Sequence, residues 1–140
     1  MTPTPMTIHI AEDILTDLQA RLARVRWPDE IAGADWQYGT ALGYLRSLIE
    51  YWRQQYDWRV HEATLNTFQH FTVPLSDIPL HFIHQPGLGP APLPLLLLHG
   101  WPGSIWEFHK LIPASITASA TFGRSASPDN VACWHIMTLQ

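Results

Sequence analysis

Leu95-Leu96-Leu97-Leu98-His99-Gly100-Trp101-Pro102-Gly103-Ser104 joins an apolar run to a Gly/Pro turn two thirds of the way along the chain. Four consecutive leucines, with the breaker-rich Gly87 to Pro94 ahead of them and His99-Gly100 behind, read as a short strand buried on both faces, as inside a parallel sheet. Ser104 and Glu107 stand three apart, so the Ser104 hydroxyl can accept from the Glu107 amide while the Glu107 carboxylate reaches back. That capping box opens a helix expected to run to Ile112, where Pro113 stops it. Strand, Gly/Pro turn and capped helix leave free backbone N–H groups at the turn, where a sheet protein can hold an anion or an oxyanion. Spacing alone does not settle this, because many such turns in α/β proteins have no chemical role.

The residues of the turn, and several motifs upstream of it, are more specific. His99-Gly100-Trp101-Pro102-Gly103-Ser104 after an apolar strand resembles the oxyanion-hole turn of α/β-hydrolase-fold epoxide hydrolases, the microsomal type in particular. Arg21-Leu22-Ala23-Arg24-Val25-Arg26-Trp27-Pro28-Asp29, Trp36-Gln37-Tyr38-Gly39, Glu50-Tyr51-Trp52-Arg53 and Tyr56-Asp57-Trp58-Arg59 resemble, in the same order, the N-terminal domain that precedes the hydrolase core in that family. The resemblance covers roughly the first four fifths of the chain and stops near Pro113, which sets an N-terminal-domain-like region at 5–113 and a divergent tail at 114–140.

The expected fold class is α/β: an N-terminal helical segment, then a β-hairpin, then the first parallel strand of a truncated α/β-hydrolase fold. The resemblance implies the N-terminal part of an enzyme that opens apolar epoxides to vicinal diols without a cofactor. In that family an Asp nucleophile forms an ester, which water then hydrolyses with the help of a His and a second acid. Of these parts the sequence offers only the turn. It contains neither a Gly-x-Ser-x-Gly nor a Gly-x-Asp-x-Gly elbow. The implied roles are therefore Trp101 N–H as oxyanion donor, Trp101 and Pro102 against substrate, and His99, Gly100 and Gly103 supporting the turn. A chain of this content is expected to be incomplete and inactive alone. A non-catalytic remnant or a protein-interaction module is the alternative, and a frame-shifted terminus is a further possibility because the tail from Ser115 to Gln140 matches the family poorly.

Composition agrees with a folded protein. Its 140 residues suffice for one domain with a real core, and with 46% hydrophobic against 14% charged residues the chain has the balance of a globular protein. A net charge of −4 gives no basic footprint for nucleic acid. A single cysteine, Cys133, excludes an internal disulfide framework and fits a reducing compartment. Met1 to Ile10 lacks the positive and apolar regions of a signal peptide, and no stretch approaches the ~20 apolar residues of a membrane span. The expectation is a cytoplasmic protein without the membrane anchor of microsomal relatives, since the chain begins close to its first motif.

Along the chain, Ile14, Leu15, Leu18, Leu22 and Val25 recur at helical spacing behind Glu12-Asp13 and predict a first helix ending before Pro28. A loop follows to Gly39. Thr40 is the expected cap of a second helix carrying Leu42, Leu45, Ile49, Trp52 and Tyr56, and Asp57 of a third ending near Asn66. Trp27, Trp36, Trp52 and Trp58 read first as core packing, with a wall of an apolar cleft as the alternative. The stripe Leu45, Leu48, Ile49 and Trp52 reads likewise as core, with a docking face as its alternative. Phe71 to Leu75 and Ile78 to Gln85, separated by the turn pair Ser76-Asp77, predict a hairpin, parts of which Pro74 and Pro79 demote to an edge or to strand ends. Beyond Pro113 only Val131 to Met137 has the composition of a strand.

Other candidate chemistry is weak. Gly33-Ala34-Asp35-Trp36 imitates a nucleophile signature, but no strand precedes Asp35 and it lies ahead of the oxyanion turn, so it reads as a loop-capping Asp. His81 and His84 fall on opposite faces of a strand, and His61 and His70 lack ligand spacing, so no metal site is expected. His99 reads as orienting the turn through a ring hydrogen bond, since no nucleophile is near enough for it to serve as a base. A strand edge left open by the leucine run predicts self-association.

Overall fold

The computed structural model describes residues 2–88, 94–118 and 133–139. The chain forms two compact units, one made of Met1–Ile8 with His61–Gln140 and the other of His9–Val60.

The first unit is built on a five-stranded sheet. In chain order its strands are β1 (Thr4–Met6), β2 (His70–Leu75), β3 (Ile78–Pro86), β4 (Leu95–Leu98) and β5 (Cys133–Leu139), and in space they run β1-β2-β3-β5-β4. β2 and β3 are the expected hairpin. Ser76 takes the positive φ of 55° that a two-residue turn demands, and Leu75 faces Ile78 across its mouth. Phe71 and Phe82, directly opposite each other in the same ladder, stack with ring centres 5.6 Å apart. β1 forms because Asn66 clamps the chain beside it: its side-chain amide donates to the Ile8 carbonyl at 2.8 Å and accepts from the Ile8 N–H at 2.9 Å. Pro5 is tolerated there because β1 is an edge.

The expected parallel sheet is corrected. β1–β2, β2–β3 and β3–β5 are all antiparallel, and parallel pairing is confined to the short ladder between β4 and β5, from Leu95↔Trp134 to Leu98↔Met137. A run of leucines signals burial but carries no strand direction, whereas a two-residue hairpin compels antiparallel pairing. Nor is β4 buried on both faces. It ends the sheet, and Leu95, Leu96 and Leu98 are 39%, 54% and 60% exposed. The doubly covered strand is β3, where Leu80, His81, Phe82 and Ile83 are buried in succession. Ile83 is wholly inaccessible, a burial worth about 1.5–3 kcal/mol. The strand expected over 131–137 is found as β5, Cys133–Leu139; Val131 and Ala132 lie outside the described residues.

The second unit holds α1 (Glu12–Leu22) and α2 (Leu42–Gln54), and α3 (Trp58–Leu65) begins at its end. Asp57 caps α3 as expected, its carboxylate accepting from the Arg59 N–H at 2.8 Å. The cap of α2 differs from expectation: Glu30, not Thr40, accepts from the Leu42 N–H, at 2.7 Å. A carboxylate twelve residues upstream does this work, and no local signal announces it. Leu42, Leu45 and Ile49 are half-buried, while Leu48 and Trp52 are exposed. Asp35 opens a single 3₁₀ turn, Asp35–Tyr38, in an exposed loop, with none of the strand-to-helix setting of a nucleophile.

Among the described residues no helix is long and apolar enough to cross a membrane. The assignment to the microsomal type in particular is therefore corrected to the broader epoxide hydrolase resemblance.

Candidate functional site

The turn after β4 is built on one tight hydrogen bond. Gly103 N–H donates to the Gly100 carbonyl at 2.6 Å, and the Trp101–Pro102 peptide between them is cis, the arrangement of a type VI turn. An aromatic-proline bond in a tight turn is a candidate for this geometry, because the tertiary amide narrows the preference for trans. His99, half-buried, places Nδ1 3.3 Å from the Gly100 carbonyl, where it donates in its Nδ1–H tautomer. Trp101 projects outward, 96% exposed, and among the described residues its N–H pairs with no acceptor.

Gly103 is required by contact. A Cβ there would lie 2.8 Å from the Gly100 carbonyl oxygen and would run into the Glu107 carboxylate, which folds back over this position. Ser104 caps the following helix, but its Oγ accepts from the Trp106 N–H, at 3.2 Å, and not from Glu107. The Glu107 N–H goes instead to the Ser104 carbonyl at 3.1 Å, a 3₁₀ pattern. The expected helix to Ile112 is thus one 3₁₀ turn, Ile105–Phe108, followed by a separate helix α4 (Leu111–Ala118). Pro113 sits inside the first turn of α4, where the missing N–H has no helical partner to lose.

His99, Gly100, Trp101, Pro102 and Gly103 are thus brought into one turn, five residues long and held by hydrogen bonds to the Gly100 carbonyl. Asp35 lies in the other unit.

Two arrangements escaped sequence reasoning. Trp106 stacks flat on His109, with ring centres 3.9 Å apart and planes at 11°, and stands at right angles to His61 of α3 at 5.0 Å. The i, i+3 spacing of Trp106 and His109 was legible, but the contact with His61 spans forty-five positions and was not. Second, His70 and His81 form a buried pair, His70 Nδ1 lying 3.0 Å from His81 Nε2 while His70 Nε2 donates to the Leu65 carbonyl at 2.7 Å. Burial lowers both imidazoles below the usual histidine range; the neighbouring His70 lowers His81 further, whereas the bond to the Leu65 carbonyl partly offsets the shift of His70. Hairpin register held the signal: Thr72 faces His81, so His70 is its diagonal neighbour. Among the described residues no group of three or more His, Cys, Asp or Glu is arranged to hold a metal ion.

With this geometry in place, comparison with known proteins is specific. Residues 3–108 match the family model described as "Epoxide hydrolase N terminus". A Stigmatella aurantiaca (strain DW4/3-1) protein, named provisionally as an epoxide hydrolase, is 44% identical over 122 residues, covering 87% of this chain and 28% of its own length. Juvenile hormone epoxide hydrolase 2 of Ctenocephalides felis is 37% identical over 116 residues, 81% of this chain and 25% of that protein. The solved structure of Aspergillus niger epoxide hydrolase superposes with a TM-score of 0.79 at 26% identity, covering 100% of this chain and 36% of that one. The chain thus spans about a quarter of the length of the curated relatives it matches. It belongs to the epoxide hydrolase family, as the N-terminal part of that fold.

Proposed function

We propose that residues 5–113 supply the N-terminal region and oxyanion turn of an epoxide hydrolase acting on apolar epoxides, and that 114–140 is a divergent tail. The observation that carries this reading is the Trp101 N–H, unpaired among the described residues at the head of a turn closed by Gly103 and Gly100. Opening an epoxide through an enzyme-bound ester leaves an ester to hydrolyse, and water attack on its carbonyl develops an oxyanion. A preorganised backbone donor facing that oxygen stabilises the transition state more than the ground state. Trp101 provides the donor, Trp101 and Pro102 flank the substrate, and His99, Gly100 and Gly103 hold the turn. No cofactor enters this chemistry. The nucleophile and the acid–base pair belong to sequence outside the motifs of this chain, so the chain is inactive by itself.

The same reading covers its surroundings. A single cysteine and a net charge of −4 fit a cytoplasmic protein that meets a small apolar substrate and no nucleic acid. The non-catalytic alternative is favoured by one observation, the exposed leucines of β4 at the end of the sheet, which suit association with a second copy.

An NMR titration of the full chain with an alkylphosphonate, a tetrahedral oxyanion mimic, tests the donor. The Trp101 amide is expected to show the largest downfield shift of any backbone amide. A titration that moves other amides and leaves Trp101 in place overturns the assignment.

A further inference from the structure

The four-residue 3₁₀ helix behind the turn is too short to be stable on its own, so something must hold it. Ile105, 8% exposed, anchors one side in the core. The other side is Trp106, and its contacts converge. Its N–H is taken by Ser104 Oγ, its carbonyl accepts from the His109 ring Nδ1 at 2.6 Å and from the His109 backbone N–H at 3.2 Å, and its indole stacks on the His109 ring and meets the His61 ring at a right angle. His61 comes from α3, so the stack ties the helix behind the turn to an element far away in sequence. Ser104 adjoins Gly103, whose N–H closes the turn on Gly100, and Trp101 lies inside that closed loop.

We infer that Trp106, held by ring contacts to His61 and His109, is a positioning residue that fixes the aim of the Trp101 N–H. It acts through Ser104 and Gly103. This inference rests on the role given to Trp101 above, and it specifies what holds that donor in place. Removing His61 leaves the hydrogen bonds of the 3₁₀ helix in place and takes away the ring that α3 sets against Trp106, so the loss falls on the rigidity of the turn.

The Gly103 amide reports on this directly, because its exchange with water requires the turn to open. Its exchange rate in the full chain, followed by water-exchange NMR, is expected to rise about three- to tenfold in His61→Ala and in Trp106→Leu, the range that the loss of one aromatic contact implies. His61→Phe, which keeps an aromatic ring at that place, is expected to restore the wild-type rate. A merely structural role predicts a lower melting midpoint with no selective change at Gly103. Unchanged Gly103 exchange in folded His61→Ala, or failure of His61→Phe to restore it, overturns the inference; His61→Ala keeps the test open if Trp106→Leu does not fold. No oxyanion mimic is present in this measurement, so its outcome is independent of whether Trp101 binds one.

Discussion

Ser104 shows how far a single residue can be read. Its place three residues before Glu107 identified it as a cap, and it is one, but the hydroxyl reaches the Trp106 amide because the helix it starts is the tighter 3₁₀ form. Propensity rules describe where a cap occurs and not which of two neighbouring amides it satisfies. Ser104→Ala is expected to cost about 1 kcal/mol of stability, since it orphans the Trp106 N–H. Denaturant unfolding measures this, and an unmoved midpoint would show that water replaces the hydroxyl without loss. Glu107 makes no such cap, so Glu107→Ala is expected to cost less. Gly103 was legible as a turn glycine, but the reason for it, the approach of the Gly100 carbonyl and the Glu107 carboxylate, is a matter of atoms and not of pattern.

Among the elements, the hairpin was legible because turn chemistry and alternation agree over Phe71 to Gln85, and both are local properties. The leucine strand was legible as a strand but not as an edge, since burial depends on which other strands lie beside it. β1 left no pattern at all: Thr4-Pro5-Met6 is extended only because Asn66 and β2 hold it. The His70–His81 pair belongs to this scale, as a product of register. Both rings are buried and held neutral in the fold, so the unfolded chain binds more protons than the folded one once pH falls below the ordinary histidine value of about 6.5. Their contribution to stability is present above that value and is lost as pH falls toward the lowered folded values. The melting midpoint is expected to fall between about pH 7 and pH 5, and to fall less in a His70→Leu/His81→Leu double variant. Equal slopes for the two proteins would show that other groups govern the acid response.

For the whole molecule, the family was legible from separated motifs in a fixed order, and residues 3–108 match it. The strand pairing and the extent of exposure were not legible, because both are decided by long-range contacts. β4 ends the described sheet with exposed leucines, a surface that invites pairing and apolar association. The isolated chain is expected to self-associate, and Leu96→Lys to reduce it. Light scattering reads both, and a monodisperse wild-type monomer at high concentration would remove the interaction-module alternative.

If residues 5–113 do the work of an epoxide hydrolase N-terminal region, they should serve in that place in a related enzyme, which a chimera tests. These residues would replace the matching segment of Ctenocephalides felis juvenile hormone epoxide hydrolase 2, which is 37% identical over the aligned region. Diol formation is then measured on the epoxide that the parent enzyme hydrolyses. The chimera is expected to form the diol. A chimera that melts cooperatively and yet forms no diol would contradict it.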